Sequence, residues 1–172
     1  MTLPIKTAAE LLDPALEARW AARRAGRQGQ VLRQILRTFV EGGGPVSVTA
    51  ITAAIPPYSP EAIEETILAL DSQDLIQVLD GQVVMAYPFS TARTPFRVRL
   101  ADGRERYACC AIDALGVAPM VEEPVRIHAE CHHCGAPLAF SAGPDGPGPE
   151  AEGLMVWIGE RAEGQRRIST SL

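Results

Sequence analysis

A chain of 172 residues is long enough for one ordinary domain or two small ones. With 47% hydrophobic and 22% charged residues it can bury a core, which excludes global disorder, and with only 5% aromatic residues that core is aliphatic and alanine-rich. A net charge of −5 argues against a general nucleic-acid binder, which needs a basic surface to displace phosphate counterions.

The N-terminal stretch MTLPIKTAAELLDP lacks the charged-then-apolar layout of a signal peptide, and no apolar run is long enough to span a bilayer. The expected location is therefore cytoplasmic. There Cys109, Cys110, Cys131 and Cys134 are thiols, and metal binding or catalysis is favoured over disulfides.

From about Ala15 to Val40, Leu16, Trp20, Val31, Leu32, Ile35, Leu36 and Phe39 recur at helical spacing. Gly26 and Gly29 are predicted to divide this stretch into two helices, with Arg19, Arg23, Arg24, Arg27, Arg33 and Arg37 on polar faces. Gly42-Gly43-Gly44-Pro45 ends it. Ser47 to Ile51 starts a short helix that Pro56-Pro57 stops. Ser59 followed by Pro60 is an N-cap with proline at the first helical position, opening a helix that places Ile63, Ile67 and Leu70 on one face. Leu75 to Val78 and Val83 to Met85 flank Asp80-Gly81, a hairpin signal. Helices followed by a two-stranded wing predict a winged helix-turn-helix over residues 1–88.

Such a module invites a DNA-binding reading, with Ser59 to Leu70 as the recognition helix. That helix carries Glu61, Glu64 and Glu65, then Asp71, and no Lys or Arg. Carboxylates facing phosphates are electrostatically poor, so DNA is disfavoured as a partner and a packing or dimerisation role is preferred.

Residues 89–172 read as a second, strand-rich part. Phe96 to Leu100 alternates, turns at Asp102-Gly103 and returns through Glu105 to Ala108. Cys110 to Leu115 reads as a helical turn or short helix ended by Gly116. Val125 to His128 and Ala136 to Phe140 are strands joined by CHHCG. Gly143 to Gly153 is a Pro/Gly-rich exposed loop, and Leu154 to Ile158 is predicted to be a buried strand. The fold class expected is α+β, a helical unit packed on a mixed or antiparallel sheet with short helices.

Cys110 and Asp113 lie three residues apart, neighbours across one turn if Cys110 opens a helix. The helix N-terminus favours a thiolate, whereas a nearby carboxylate opposes it unless that carboxylate is protonated or the sulfur holds a cation. Spacing alone leaves two readings open: a thiol–carboxylate pair for soft-metal chemistry, or small buried cysteines beside a surface charge. Cys131-His132-His133-Cys134-Gly135 has the spacing of half a zinc knuckle. A structural zinc site needs a second ligand pair, for which the candidates are Cys109 with Cys110, adjacent and poorly shaped for it, or His128 on the preceding strand. A hairpin turn with one packed cysteine is therefore preferred to structural zinc, and mercury capture by Cys131 and Cys134 is a third reading.

YACCAIDALGVAP closely resembles the central segment of the organomercurial (alkylmercury) lyase family, whose pattern is Tyr-Ala-x-Cys-Ala-hydrophobic-Asp-x-Leu. Tyr87-Pro88, TPFRVRL before an Asp-Gly turn, and HAECHHCGAPLAF agree with it, so the likeness runs from about Leu32 to Ser171. The resemblance implies protonolysis of a carbon–mercury bond, giving a hydrocarbon and Hg(II). Cys110 matches the attacking thiolate, and Asp113 the carboxyl group that relays the proton and helps hold mercury transiently. Cys131 matches a cysteine regarded as structural, while Cys109 and Cys134 stand where relatives carry other residues. The implied substrate is a small organomercurial, and external thiols or a mercuric reductase accept the Hg(II); no organic cofactor is implied. The family's second catalytic cysteine would follow Ile168-Ser169-Thr170-Ser171-Leu172, where these residues end. The alternative implied by that gap is an inactive soft-metal-binding or metal-responsive regulator.

Overall fold

The structure, a computed structural model, describes residues 4–11 and 26–157 together with positions 14, 18 and 21. Most of the helix expected before Gly26 therefore lies outside the described residues, as does Ile158. A single helical turn spans Ala8–Leu11. Helix α1 (Arg27–Gly42) buries Val31, Ile35 and Phe39 at the predicted spacing. Gly26 precedes it in extended conformation, but Gly29 lies buried inside the helix and does not divide it. Gly43, at φ 82°, ends α1 by donating its N–H to the Phe39 carbonyl at 2.8 Å.

Strand β1 (Val46–Ser47) leads into α2 (Val48–Ala54), which buries Ile51. Helix α3 (Pro60–Ser72) starts where expected: Ser59 Oγ accepts from the Ala62 N–H at 3.3 Å, and Pro60 fills the first turn. Ile63, Ile67 and Leu70 turn inward. Strands β2 (Ile76–Leu79) and β3 (Gln82–Ala86) form the hairpin across Asp80-Gly81, whose positive φ values of 48° and 72° suit that tight turn.

The chain continues through β4 (Phe89–Ser90), β5 (Arg97–Arg99), β6 (Glu105–Ala108), helix α4 (Ala111–Val121), β7 (Val125–Glu130), β8 (Pro137–Gly143) and β9 (Gly146–Pro147). Every strand pairing is antiparallel, and one hydrogen-bonded path runs β1-β3-β4-β6-β5-β7-β8-β9, with β2 on β3. The fold is α+β with an antiparallel sheet. Helix α4 lies across β5 to β9 and buries Ala114, Val117 and Ala118. No helix among the described residues is long and apolar enough to cross a membrane.

Two further expectations fail. Helix α4 does not stop at Gly116 but runs on past Pro119 to Glu122, which is left-handed at φ 57°. A helical glycine costs about 1 kcal/mol, and burying Val117 and Ala118 on the sheet offsets that. The segment 154–157, expected as a buried strand, pairs with nothing in the sheet and is exposed, Met155 at 73% and Trp157 at 67%. An apolar run identifies a strand only when a neighbouring edge is free to receive it.

Candidate functional site

Strand β6 carries the chain to the site. Ala108 stands opposite Phe89 of β4, its carbonyl accepts from Thr94 Oγ1 at 2.6 Å, and the Cys109 N–H donates to the Pro88 carbonyl at 2.9 Å. These bonds fix the backbone up to the two cysteines. Cys109 then points inward and is buried. Cys110 stays extended at φ −148°, ψ −178°, and serves as the N-cap of α4. Its Sγ accepts from the Asp113 N–H at 3.4 Å, and its carbonyl accepts from the Ala114 N–H at 3.0 Å. Cysteine here replaces the usual Ser or Asp cap, so a helix-start N–H that would otherwise lack a partner is spent on sulfur. The structure thus brings Cys110 and Asp113 together on the first turn, both half-buried, with Ile112 between them 53% exposed.

The helix N-terminus does not win the contest over the Cys110 proton. Burial pushes this thiol up to about 11, and the Asp113 carboxylate, to which the thiol donates, adds to the rise; the backbone N–H groups of Asp113 and Ile112 oppose it less strongly. Burial also raises Asp113 above the ordinary carboxylate range, against the lowering effect of its bonds with Cys110. Burial, then the negative charges of Asp113 and Cys110, push Cys109 higher still. At neutral pH the resting site is a neutral thiol hydrogen-bonded to a carboxyl group. That arrangement suits an incoming soft cation, because the cation displaces the thiol proton and a base is already in contact to take it.

Tyr87, which sequence reasoning noted only within the Tyr87-Pro88 pair, belongs to this site. It follows β3 and precedes β4, beside the Pro88 carbonyl that holds Cys109. Its hydroxyl is buried, and among the described residues it has no hydrogen-bond partner. Burial first, then the negative potentials of Asp74, Cys109, Asp113 and Cys110, hold the phenol firmly in its protonated form. The bond between Cys109 and Pro88 brings Tyr87 here from far away in the sequence, so local helix and strand patterns do not reveal it.

Cys131 and Cys134 lie elsewhere, on the turn between β7 and β8, with His132 and His133 exposed between them. Among the described residues no three Cys, His, Asp or Glu side chains gather into a metal-binding group, so this pair does not complete a ligand set with Cys110 and Asp113.

Fold and site together define an α+β protein with a thiol–carboxylate centre at the start of a sheet-packed helix. Residues 89–171 match the family described as alkylmercury lyase. Curated relatives include alkylmercury lyases of Staphylococcus epidermidis, 28% identical over 67% of this chain and 50% of its own length, and of Bacillus cereus, 26% identical over 70% and 54%. This chain spans about half the length of the curated relatives it matches. In fold it is similar to the crystal structure of the mercury-bound form of MerB2, with a TM-score of 0.63 at 21% identity over 74% of this chain and 61% of that one.

Proposed function

We propose that the protein cleaves carbon–mercury bonds of small organomercurials by protonolysis at Cys110 and Asp113. The observation that carries this reading is the resting thiol of Cys110 in contact with a buried carboxyl group whose own proton affinity is raised. A substrate R–Hg–SR′, already carrying a small thiolate, adds the Cys110 sulfur to its mercury and keeps R′S. Sulfur forms the new S–Hg bond, the thiol proton passes to Asp113, and Asp113 delivers it to the carbon as the Hg–C bond breaks. The products are R–H and mercury held between Cys110 and the R′S group. Atoms balance with one protein thiol, nothing is oxidised or reduced, and no organic cofactor enters. Soft sulfur matches soft mercury, and excess external thiol then removes the Hg(II).

In this reading the spare Tyr87 hydroxyl donates to Asp113 once that carboxylate has lost its proton to carbon, and residues 1–88 serve as a winged-helix-like packing unit for the catalytic part, 89–172.

The test is incubation with phenylmercuric acetate and excess thiol, with benzene measured by gas chromatography. Benzene is expected from the unaltered protein and none above background from Cys110→Ser. Tyr87→Phe should slow release severalfold without lowering the unfolding midpoint, because it deletes a hydroxyl that has no partner to lose. Absence of benzene from the unaltered protein sinks the activity; undiminished release from Cys110→Ser sinks the assignment of the thiol.

A further inference from the structure

We propose that Cys131 and Cys134 form a second, surface site that binds one soft, two-coordinate metal ion, with Hg(II) as its best-matched occupant. The turn carrying them is built rather than loose. The Cys131 N–H donates to the Ala136 carbonyl at 2.8 Å, closing the β7–β8 ladder, and the Gly135 N–H returns to the Cys131 carbonyl at 2.8 Å. Gly135 is left-handed at φ 69°, which lets the chain reverse directly after Cys134. Both thiols are reachable from solvent, Cys134 fully and Cys131 in part. Cys131 also lines a hollow of about 310 Å³ with Pro95, Phe96, Glu130, His132 and Gly135, so a metal carried by a small thiol has room to approach.

The backbone N–H groups of Cys134 and His133 and the Cys134 thiol all lie within hydrogen-bond reach of the Cys131 sulfur, so the turn holds the two sulfurs on one side, facing one another.

Two sulfurs suit a linear S–M–S arrangement. Structural zinc takes four ligands, and among the described residues no third Cys, His, Asp or Glu joins this pair. Binding is simple exchange: two S–Hg bonds to small thiols break, two to Cys131 and Cys134 form, and their two protons leave on the released thiols. No redox step occurs.

The inference does not rest on cleavage at Cys110, and its experiment removes that thiol. Cys110→Ser protein is given one equivalent of mercuric chloride in excess β-mercaptoethanol, and bound metal is counted by native mass spectrometry with near-ultraviolet S→Hg absorption as a second readout. One Hg(II) per chain should be retained. Adding either Cys131→Ser or Cys134→Ser should weaken retention by roughly 100-fold or more, the scale of advantage that two linked ligands have over one. An equivalent of Zn(II) should not displace the mercury. Loss of metal from the Cys110→Ser chain itself, retention unchanged by either serine, or displacement by zinc would each overturn the proposal. Because no hydrocarbon is measured, a failure of the cleavage chemistry leaves this result standing.

Discussion

At Cys110 three effects compete for one proton, and their order decides how the site works. Burial and the Asp113 carboxylate hold the proton on sulfur, while N–H groups at the helix start pull it off. With the thiol pushed up to about 11, only about one molecule in ten thousand carries the thiolate at neutral pH. Asp113→Asn removes a negative charge and the oxygen that accepts the S–H bond, but keeps the backbone N–H. Its expected effect is to lower the Cys110 value, because the carboxylate is a raising influence, so that alkylation of Cys110 by iodoacetamide gains rate at lower pH. Peptide mass spectrometry across a pH series reads this directly, and an alkylation profile unmoved or displaced to higher pH would show that Asp113 is not the proton's partner. The same variant should lose hydrocarbon release, separating ease of ionisation from catalysis. Sequence spacing placed these two residues together because one helical turn separates them, a local fact. It did not settle which effect controls the thiol, since that depends on burial contributed by distant strands. Tyr87 escaped for the same reason: it is 23 residues from Cys110 in the sequence.

Among the elements, α1 is held at its C-terminal end by a side chain from the far part of the chain. Arg106 of β6 is buried, and its Nε donates to the Phe39 carbonyl at 2.7 Å while Nη2 reaches the Val40 and Glu41 carbonyls. The Val40 and Glu41 carbonyls are among those a helix leaves unpaired at its end, the Phe39 carbonyl also accepts from Gly43, and the backbone dipole there favours a cation. Burial lowers the guanidinium's proton affinity, though an arginine side chain in a protein stays charged. Arg106→Met keeps much of the volume and removes the donors, and should cost about 2–4 kcal/mol, since several bonds from a charged group are lost at a buried position. A urea titration checks this. Arg104→Met is the control, because Arg104 is exposed and its contacts are with Asp102 and the Glu41 carbonyl; its midpoint should barely move. Equal effects of the two substitutions would remove Arg106 as the anchor. Elements written in local chemistry were legible: the Ser59-Pro60 start, the Asp80-Gly81 and Asp102-Gly103 turns, the inward stripe of α1. The role of Arg106, 67 residues from Phe39, was not, and neither was the continuation of α4 through Gly116, which packing on the sheet determines.

Over the whole molecule, the sheet has a narrow seam between β3 and β4. Strands β3 and β4 pair through only Met85 with Ser90 and Ala86 with Phe89. Two buried side-chain ties also cross it, beside the exposed bond from Arg104 to the Glu41 carbonyl and the Thr91 N–H bond to the Val84 carbonyl. The rings of Phe39 and Phe89 stack with centroids 6.2 Å apart and planes within 7°, and Arg106 binds the end of α1. Gly44 sits hard against Phe39: a Cβ there would lie 2.7 Å from the ring, so the turn and the ring are fitted to each other. A two-residue seam alone would let the helical unit melt first, whereas a buried aromatic pair and a buried cation make its loss costly to the sheet. The expected outcome is one cooperative transition in urea. Far-ultraviolet ellipticity, weighted toward the helices of the first part, should share its midpoint with the labelling of Cys109, buried beyond the seam. If ellipticity falls at lower urea while Cys109 remains protected, residues 1–88 unfold on their own, and Phe39 and Arg106 do not couple the parts. If the midpoints agree, repeating the comparison with Arg106→Met should separate them, because the substitution removes one of the two buried side-chain ties that act across the joint.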